Sequence, residues 1–201
     1  MRVNETFLSL QGEGHFTGTP AFFLRLSGCN LQCPFCDTQH QSFSEMTEEE
    51  IVQEATRHKP RHIVITGGEP ALQLTQSLID KLHEAGFFIQ VETNGTLPLP
   101  EGIDWVTCSP KSPLPQPLPR GGGEIHVDEL KVLYMGDGSD PERFVPLLPG
   151  GGVRGGGFYL QPLDTGDKER NRIILRDTIA YILEHPKWSL SLQTHKMLGI
   201  K

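Results

Sequence analysis

Cys29, Cys33 and Cys36 sit in one short stretch, Leu-Ser-Gly-Cys-Asn-Leu-Gln-Cys-Pro-Phe-Cys-Asp-Thr-Gln, with the spacing Cys-x3-Cys-x2-Cys. Thiolates this close together hold an iron–sulfur cluster or a zinc ion. The number of ligands decides what such a site does. Three protein ligands on a four-iron cluster leave one iron open, and an open iron can bind and activate a small molecule. A fully ligated cluster or zinc ion mostly carries electrons or braces a fold.

Two plainer readings compete. A structural zinc site needs a fourth ligand, and Cys108 or His40 would have to supply it. Zinc ribbons and fingers usually show two ligand pairs of similar spacing, whereas Cys108 stands alone and suits a small buried hydrophobe. A disulfide pair is the second alternative. Four cysteines in 201 residues make a thin disulfide scaffold, and the N-terminal MRVNETFLSLQGEG lacks a basic segment followed by an apolar one. A cytoplasmic location is therefore expected.

The composition narrows the partners. The hydrophobic fraction of 36% and charged fraction of 21% are ordinary for a water-soluble domain, and the length suits a single domain, 1–201, with a sizeable core. No apolar run reaches the length of a membrane span. A formal charge of -7 disfavours a surface for nucleic acid. Gly and Pro concentrate in 112–124 and 149–157, which read as loops within the domain.

The elements that must position the cysteines alternate. Ala21–Leu26 is a short apolar run, hence a buried strand. Thr47 with Glu50 forms a capping box and starts a helix over about 48–58. His62–Thr66 is a β-branched strand, and Leu72–Ala85 a helix stopped by Gly86. Strands follow at Phe87–Glu92, Asp104–Thr107, Glu129–Tyr134 and Phe158–Leu160. Lys168–Glu184 is the longest helix, with Ile173, Ile174, Ile179, Ile182 and Leu183 expected inward, and Trp188–Leu192 is the last strand. This order predicts a parallel α/β sheet of βα units, with several middle connections lacking a helix: an incomplete (β/α) barrel.

The polar clusters fall on this map in a pattern. The cysteine loop, Gly67-Gly68-Glu69-Pro70, Glu92-Thr93-Asn94-Gly95, Ser109-Pro110-Lys111, Gln161-Pro162 and Gln193-Thr194-His195-Lys196 are each expected just past the C-terminal end of a strand. Those ends converge on one face of a parallel sheet, where ligands bind.

The cysteine spacing together with the Gly-Gly-Glu-Pro turn resembles the radical S-adenosylmethionine (SAM) enzymes. The finer pattern is similar to the 7-carboxy-7-deazaguanine synthase family of 7-deazapurine and queuosine precursor biosynthesis. It is carried by Leu10-Gln11-Gly12-Glu13-Gly14, Arg25-Leu26-Ser27-Gly28-Cys29, Cys36-Asp37-Thr38, Thr66-Gly67-Gly68-Glu69-Pro70, Glu92-Thr93-Asn94-Gly95, Ser109-Pro110-Lys111, Gln161-Pro162-Leu163 and Gln193-Thr194-His195-Lys196. One such motif is weak; the ordered set, running nearly end to end, is specific.

The resemblance implies a lyase that contracts the ring of 6-carboxy-5,6,7,8-tetrahydropterin, with loss of ammonia, to 7-carboxy-7-deazaguanine. It implies one 4Fe-4S cluster on Cys29, Cys33 and Cys36, SAM on the open iron, and Mg²⁺ at Thr38. For SAM it implies Gly67, Gly68 and Glu69 at the ammonium, Ser109, Pro110 and Lys111 at the carboxylate and ribose, and Phe35, Cys36, Asp37, Gly95, Gln161, Pro162, Leu163 and Asp164 around the adenosine. For the pterin it implies Glu13 or Glu92 against the donor–acceptor edge, Leu10, Gln11, Gly12 and Thr93 beside it, Arg25 at the carboxylate, and His195 either on substrate or satisfied within the fold. The Lys201 carboxylate is a further candidate contact. A homodimer served by a flavodoxin or ferredoxin is the implied assembly. A glycyl-radical activase shares the cysteine loop but has no need of Leu10–Gly14, Arg25 and Gln193–Lys196; a zinc-stabilised binding module would lack catalysis.

Overall fold

The computed structural model describes residues 1–39, 41–111, 126–147 and 153–201; His40, 112–125 and 148–152 lie outside the described residues, and with them most of the two Gly/Pro-rich loops. Strand β1 (Arg2–Leu10) runs antiparallel to β2 (Pro20–Leu26), while the two-residue β3 (Ser44–Glu45) pairs with the outer edge of β1. From β2 onward the pairing is parallel and each strand joins the previous one: β4 (His62–Gly67), β5 (Phe88–Thr93), β6 (Trp105–Cys108), β7 (Glu129–Tyr134), β8 (Gly157–Pro162) and β9 (Trp188–Leu190). The nine-stranded sheet begins at β3 and ends at β9 without closing on itself, the incomplete barrel expected.

Helices occupy one face. Helix α1 (Glu48–Thr56) begins at the reciprocal Thr47–Glu50 capping box read from the sequence. Helix α2 (Gln76–Glu84) is capped by the Thr75 hydroxyl. Their inward residues Ile51, Ala55, Leu78, Ile79 and Leu82 pack on alternate residues of the first strands: Phe22, Leu24 and Leu26; Ile63 and Ile65; Ile89 and Val91. Side chains alternate across a strand, so the residues between these point to the opposite, concave face. There stand Arg25, Thr66, Glu92 and, on β7, Lys131. The apolar face supplies the stability; the polar face is left to bind.

The concave face is closed at the strands' N-terminal ends by residues 11–19, which join β1 to β2. Phe16 stacks edge-on against His62, Phe88 and Trp105, the first residues of β4, β5 and β6, and His15 stacks on Trp105 at 4.7 Å. A floor of rings thus blocks one end and leaves the cavity open at the C-terminal ends.

Several expectations need correction. The strand β1 was not read from Arg2–Leu10, because Asn4, Glu5 and Thr6 interrupt its apolar alternation. The helix expected over Leu72–Ala85 splits into a 3-10 turn at Pro70–Leu72 and α2, since Thr75 supplies a new N-cap. Helix α3 (Lys168–Glu184) has the expected bounds but a narrower inner face. Ile174 and Thr178 are buried, whereas Ile173, Ile179 and Leu183 are 48%, 41% and 78% exposed. This helix packs mainly on β8 and β9 at the sheet's end, so one stripe suffices. Finally, β9 stops at Leu190, and Thr194–Leu198 forms a short helix, α4, rather than a bare strand end.

Candidate active site

The C-terminal ends of the parallel strands surround a cavity of about 1230 Å³. Its wall contains all three loop cysteines together with Phe35, Asp37, Thr38, Gly67, Gly68, Ser109, Lys111, Gln161, Leu163 and Asp164. It also contains every residue expected near substrate: Leu10, Gln11, Gly12, Glu13, Arg25, Glu92, Thr93 and His195. Lys201 lines it too. The sequence thus brings most of its candidate residues to one place. Gly95, Pro110, Pro162 and Glu69 do not line it.

The cysteine loop is anchored where the chain most closely approaches itself. A Cβ on Gly68 would strike the Gly28 carbonyl, and one on Gly67 would strike that of Leu26. Gly68 N–H donates to Leu26 O at 3.0 Å and Glu69 N–H to Gly28 O at 2.8 Å. Only glycine permits this contact, which fixes the residue before Cys29. Cys29, Cys33 and Cys36 are free thiols. Burial pushes the Cys33 thiol up; Lys111 opposes this, and the neighbouring Cys29 and Cys36 charges add to it. Among the described residues no three His, Cys, Asp or Glu side chains converge tightly enough to hold a single ion. The donor set is nevertheless three soft thiols on one wall, which suits a cluster larger than one ion. Cys108 does not join them. It is 2% exposed within the apolar packing of β6, β7 and β8, and burial, with the nearby Glu69 charge, pushes its thiol up to about 12.

Glu69, expected beside the cofactor, stands behind the cavity wall. Its side chain is fully buried and accepts from Ala71 N–H (3.0 Å), Thr93 Oγ1 (2.7 Å) and Asn94 N–H (2.7 Å). The carboxylate therefore ties the turn after β4 to the turn after β5, away from the cavity. Of the Gly-Gly-Glu-Pro turn, Gly67 and Gly68 line the cavity directly, with Glu69 behind them.

Lys111 has the opposite character. It lines the cavity, bonds Ser109 Oγ at 2.7 Å, and forms no ion pair among the described residues. Burial, and next the Lys131 charge, lower its pKa. A half-buried ammonium in this state favours an incoming anion.

Near it lies a charge cluster centred on a residue that no sequence motif marks, Lys131. Lys131 Nζ contacts Glu13 Oε2 and, at 3.2 Å, Glu92 Oε2, with its side chain only 5% exposed. Gln193 Nε2 donates to Glu13 Oε1 and Gln11 Nε2 to Glu92 Oε1, each at 2.9 Å. Burial alone would raise the Glu13 carboxyl, but the Lys131 charge and bond, helped by Gln193, hold it at about 2. The signal was available: Lys131 is a cation within the apolar run Glu129–Tyr134, as Arg25 is within Pro20–Leu26. Arg25 faces the cavity, pairs with Glu5 at 3.1 Å and lies over the Phe7 ring. Lys201 shares Glu5 and the Phe7 ring, and its carbonyl accepts from Ser9 Oγ.

The rim is tied by α4. Lys196 Nζ reaches Asp37 at 3.0 Å and Asp164 at 2.9 Å, joining the cysteine loop to the end of β8. Thr194 N–H and Oγ1 both donate to Gly12 O, and the His195 ring fills the space a Cβ on Gly12 would need.

This arrangement has relatives. The pattern of the Radical SAM superfamily matches residues 24–131. A 7-carboxy-7-deazaguanine synthase of Bacteroides thetaiotaomicron is 46% identical over 200 residues, which cover 100% of this chain and 98% of that one. Its namesake from Bradyrhizobium diazoefficiens is 39% identical over 221 residues, covering 99% and 98%. The crystal structure of QueE from Escherichia coli superposes with a TM-score of 0.71 at 29% identity, over 95% of this chain and 92% of that one. The chain therefore belongs to the radical SAM superfamily and, within it, to the 7-carboxy-7-deazaguanine synthase family.

Proposed function

We infer that this chain is a radical SAM lyase, one core domain spanning 1–201, that converts 6-carboxy-5,6,7,8-tetrahydropterin to 7-carboxy-7-deazaguanine and ammonia. The observation that carries this reading is a single cavity whose wall brings together three cysteine thiols, a half-buried lysine with no ion pair among the described residues, paired carboxylates and an arginine. When bound, a reduced 4Fe-4S cluster with SAM supplies the radical that takes hydrogen from the pterin C6.

The residues divide the remaining work. Cys29, Cys33 and Cys36 hold the cluster, and the burial of Cys108 leaves the fourth iron to SAM. Lys111, set by Ser109, takes the SAM carboxylate, while the Gly67–Gly68 main chain receives its ammonium. Phe35, Asp37, Gln161, Leu163 and Asp164 enclose the adenosine; Gly95, Pro110 and Pro162 shape the turns behind it. Glu13 and Glu92 accept from the flat donor edge of the pterin, with Leu10, Gln11, Gly12 and Thr93 beside them and His195 above Gly12. Arg25 exchanges part of its pairing with Glu5 for the substrate carboxylate. The Thr38 hydroxyl would be the protein's ligand to a Mg²⁺, and since one hydroxyl holds such an ion weakly, the ion would bind together with substrate. Among the described residues no helix is long and apolar enough to cross a membrane. We place the enzyme in the cytoplasm as a homodimer that takes its electron from a flavodoxin or ferredoxin.

The test is a product assay. Anaerobically reconstituted protein with reductant, SAM, Mg²⁺ and 6-carboxytetrahydropterin should form 7-carboxy-7-deazaguanine, read by mass spectrometry. Cys33→Ala should abolish it together with cluster iron, and Arg25→Ala should lower turnover by 100-fold or more while 5′-deoxyadenosine still forms, that factor being an order-of-magnitude expectation for a lost charge-assisted pair of about 3 kcal/mol. Undiminished turnover in Arg25→Ala would refute the role of that residue. 5′-Deoxyadenosine without product in the unaltered enzyme would transfer the reading to another substrate, such as the backbone acted on by an activase.

A further inference from the structure

Lys131 has no place in the roles above, yet it is the most enclosed cation on the concave face. It rises from the middle of β7, where its neighbours Leu130 and Val132 face the opposite way into the apolar core. Its side chain has nowhere to go but inward. There it meets Glu13, from the loop after β1, and Glu92, from the end of β5, each through Oε2. The other oxygen of each carboxylate is held by a separate amide, Gln193 on Glu13 and Gln11 on Glu92. Each carboxylate is thus gripped at both ends, and both still line the cavity.

Two carboxylates brought to one buried cation would behave differently without it. Like charges sharing a site do not both ionise, and one keeps a proton. A protonated carboxyl donates where an ionised one accepts. A receiver for the N–H groups of a pterin edge must accept at both positions. We propose that Lys131 is a positioning residue: it keeps Glu13 and Glu92 both charged and fixed in orientation, so that together they receive the donor edge of the substrate. This rests on reading the cavity as a pterin site.

The charges facing Lys131 come from every side. Glu129 lies on its own strand, Glu13 and Glu92 on the elements named, Lys111 after β6, and His195, on α4, stands near Glu13. Glu129 does not line the cavity; it accepts from His15 N–H at 3.0 Å at the floor. Losing the lysine therefore leaves carboxylates on three elements against fewer cations.

The experiment is steady-state kinetics on cluster-loaded Lys131→Met, Lys131→Gln and Lys131→Arg, each compared with the unaltered enzyme across pH. In Lys131→Met and Lys131→Gln the KM for the pterin should rise on the order of 30-fold, with kcat changed less. Their kcat/KM should climb with pH through an ionisation that the unaltered enzyme lacks. Lys131→Arg, which keeps the charge, should recover most of the loss. A KM change under tenfold with no new ionisation overturns the proposal. So does Lys131→Arg as impaired as Lys131→Met at equal iron content, or a failure of all three to fold, since the residue is then structural. If the unaltered enzyme makes 5′-deoxyadenosine but never converts the pterin, the substrate reading has failed, and that result is visible without any variant.

Discussion

Glu69, Glu13 and Glu92 are all acidic residues in motifs, brought to the same part of the fold by the turn after β4, the loop after β1 and the end of β5. Yet Glu69 is fully buried, with its oxygens on Ala71, Thr93 and Asn94, while Glu13 and Glu92 bond long side chains and still face the cavity. The difference lies in the partner. Main-chain N–H groups cannot move aside, so a carboxylate that satisfies them is part of the scaffold. Lysine and glutamine side chains hold a carboxylate by its edge and leave lone pairs free for a ligand. A motif letter does not say which case applies; the donors do.

The comparison is broken most directly by substitution. Glu69→Ala strands the Asn94 and Ala71 N–H groups in a buried turn, and should cost about 3 kcal/mol or more in denaturant unfolding. Glu92→Ala leaves Lys131 with Glu13 and should change stability less, while raising the pterin KM by about tenfold or more. Reversed phenotypes, with Glu92→Ala the less stable and Glu69→Ala merely slow, would end the distinction drawn above.

A second test uses pH, because two carboxyls near Lys131 are displaced in opposite directions. Burial pushes Glu129 up to about 7 against the opposing pull of Lys131 and the His15 N–H, whereas Glu13 is held at about 2. Glu129 binds its proton more tightly folded than unfolded, so its contribution to stability is present below about 4.5 and is lost as pH rises toward 7. Glu13 does the reverse: its contribution is present above about 4.5 and is lost as pH falls toward 2. Each pK unit is worth about 1.4 kcal/mol, so Glu129→Gln should gain on the unaltered protein by up to about 3 kcal/mol between pH 5 and 8. Unfolding curves at those two pH values measure it, and equal slopes for both proteins would show that Glu129 titrates normally.

The smallest effect is expected at the rim. Lys196 and its partners Asp37 and Asp164 are each a third or more exposed, so Lys196→Met should change stability by less than about 1 kcal/mol. Its consequence should instead be a KM for SAM raised by roughly threefold, from loosening two loops that Lys196 joins by bonds of this modest worth. A change in unfolding midpoint as large as that of Glu69→Ala would mean that the rim is scaffold too.

Much of this architecture was legible in the chain because its signals are local. The β-branched run His62–Thr66, the Thr47–Glu50 box and the bounds of Lys168–Glu184 each follow from short-range periodicity or capping. The ordered motifs likewise located most of the cavity wall. Other features depend on neighbours that a sequence does not show. Ile173, Ile179 and Leu183 look inward by type, but only one stripe of α3 meets the sheet. Thr194–Leu198 is five residues with no side-chain cap, too short to announce a helix. The direction of the Glu69 carboxylate was set by the turn after β5, some two dozen residues along the chain. Lys131 is legible by the reasoning applied to Arg25, a lone cation in an apolar strand, although no motif surrounds it.

The parallel strands join the sheet in the order they occur in the chain, from β2 to β9, and the last short helix returns to bond Gly12 and Glu13 near the beginning. The cavity wall therefore draws on residues from early and late in the sequence at once. Glu13 meets its Gln193 partner only when residues 180 apart in the sequence come together, so a fragment that stops short of Gln193 presents the cysteine loop without that part of the wall. Contacts of such long sequence separation also slow folding. Cutting the chain ahead of Gln193 should therefore leave the first strands their own core but the cavity unwalled on one side.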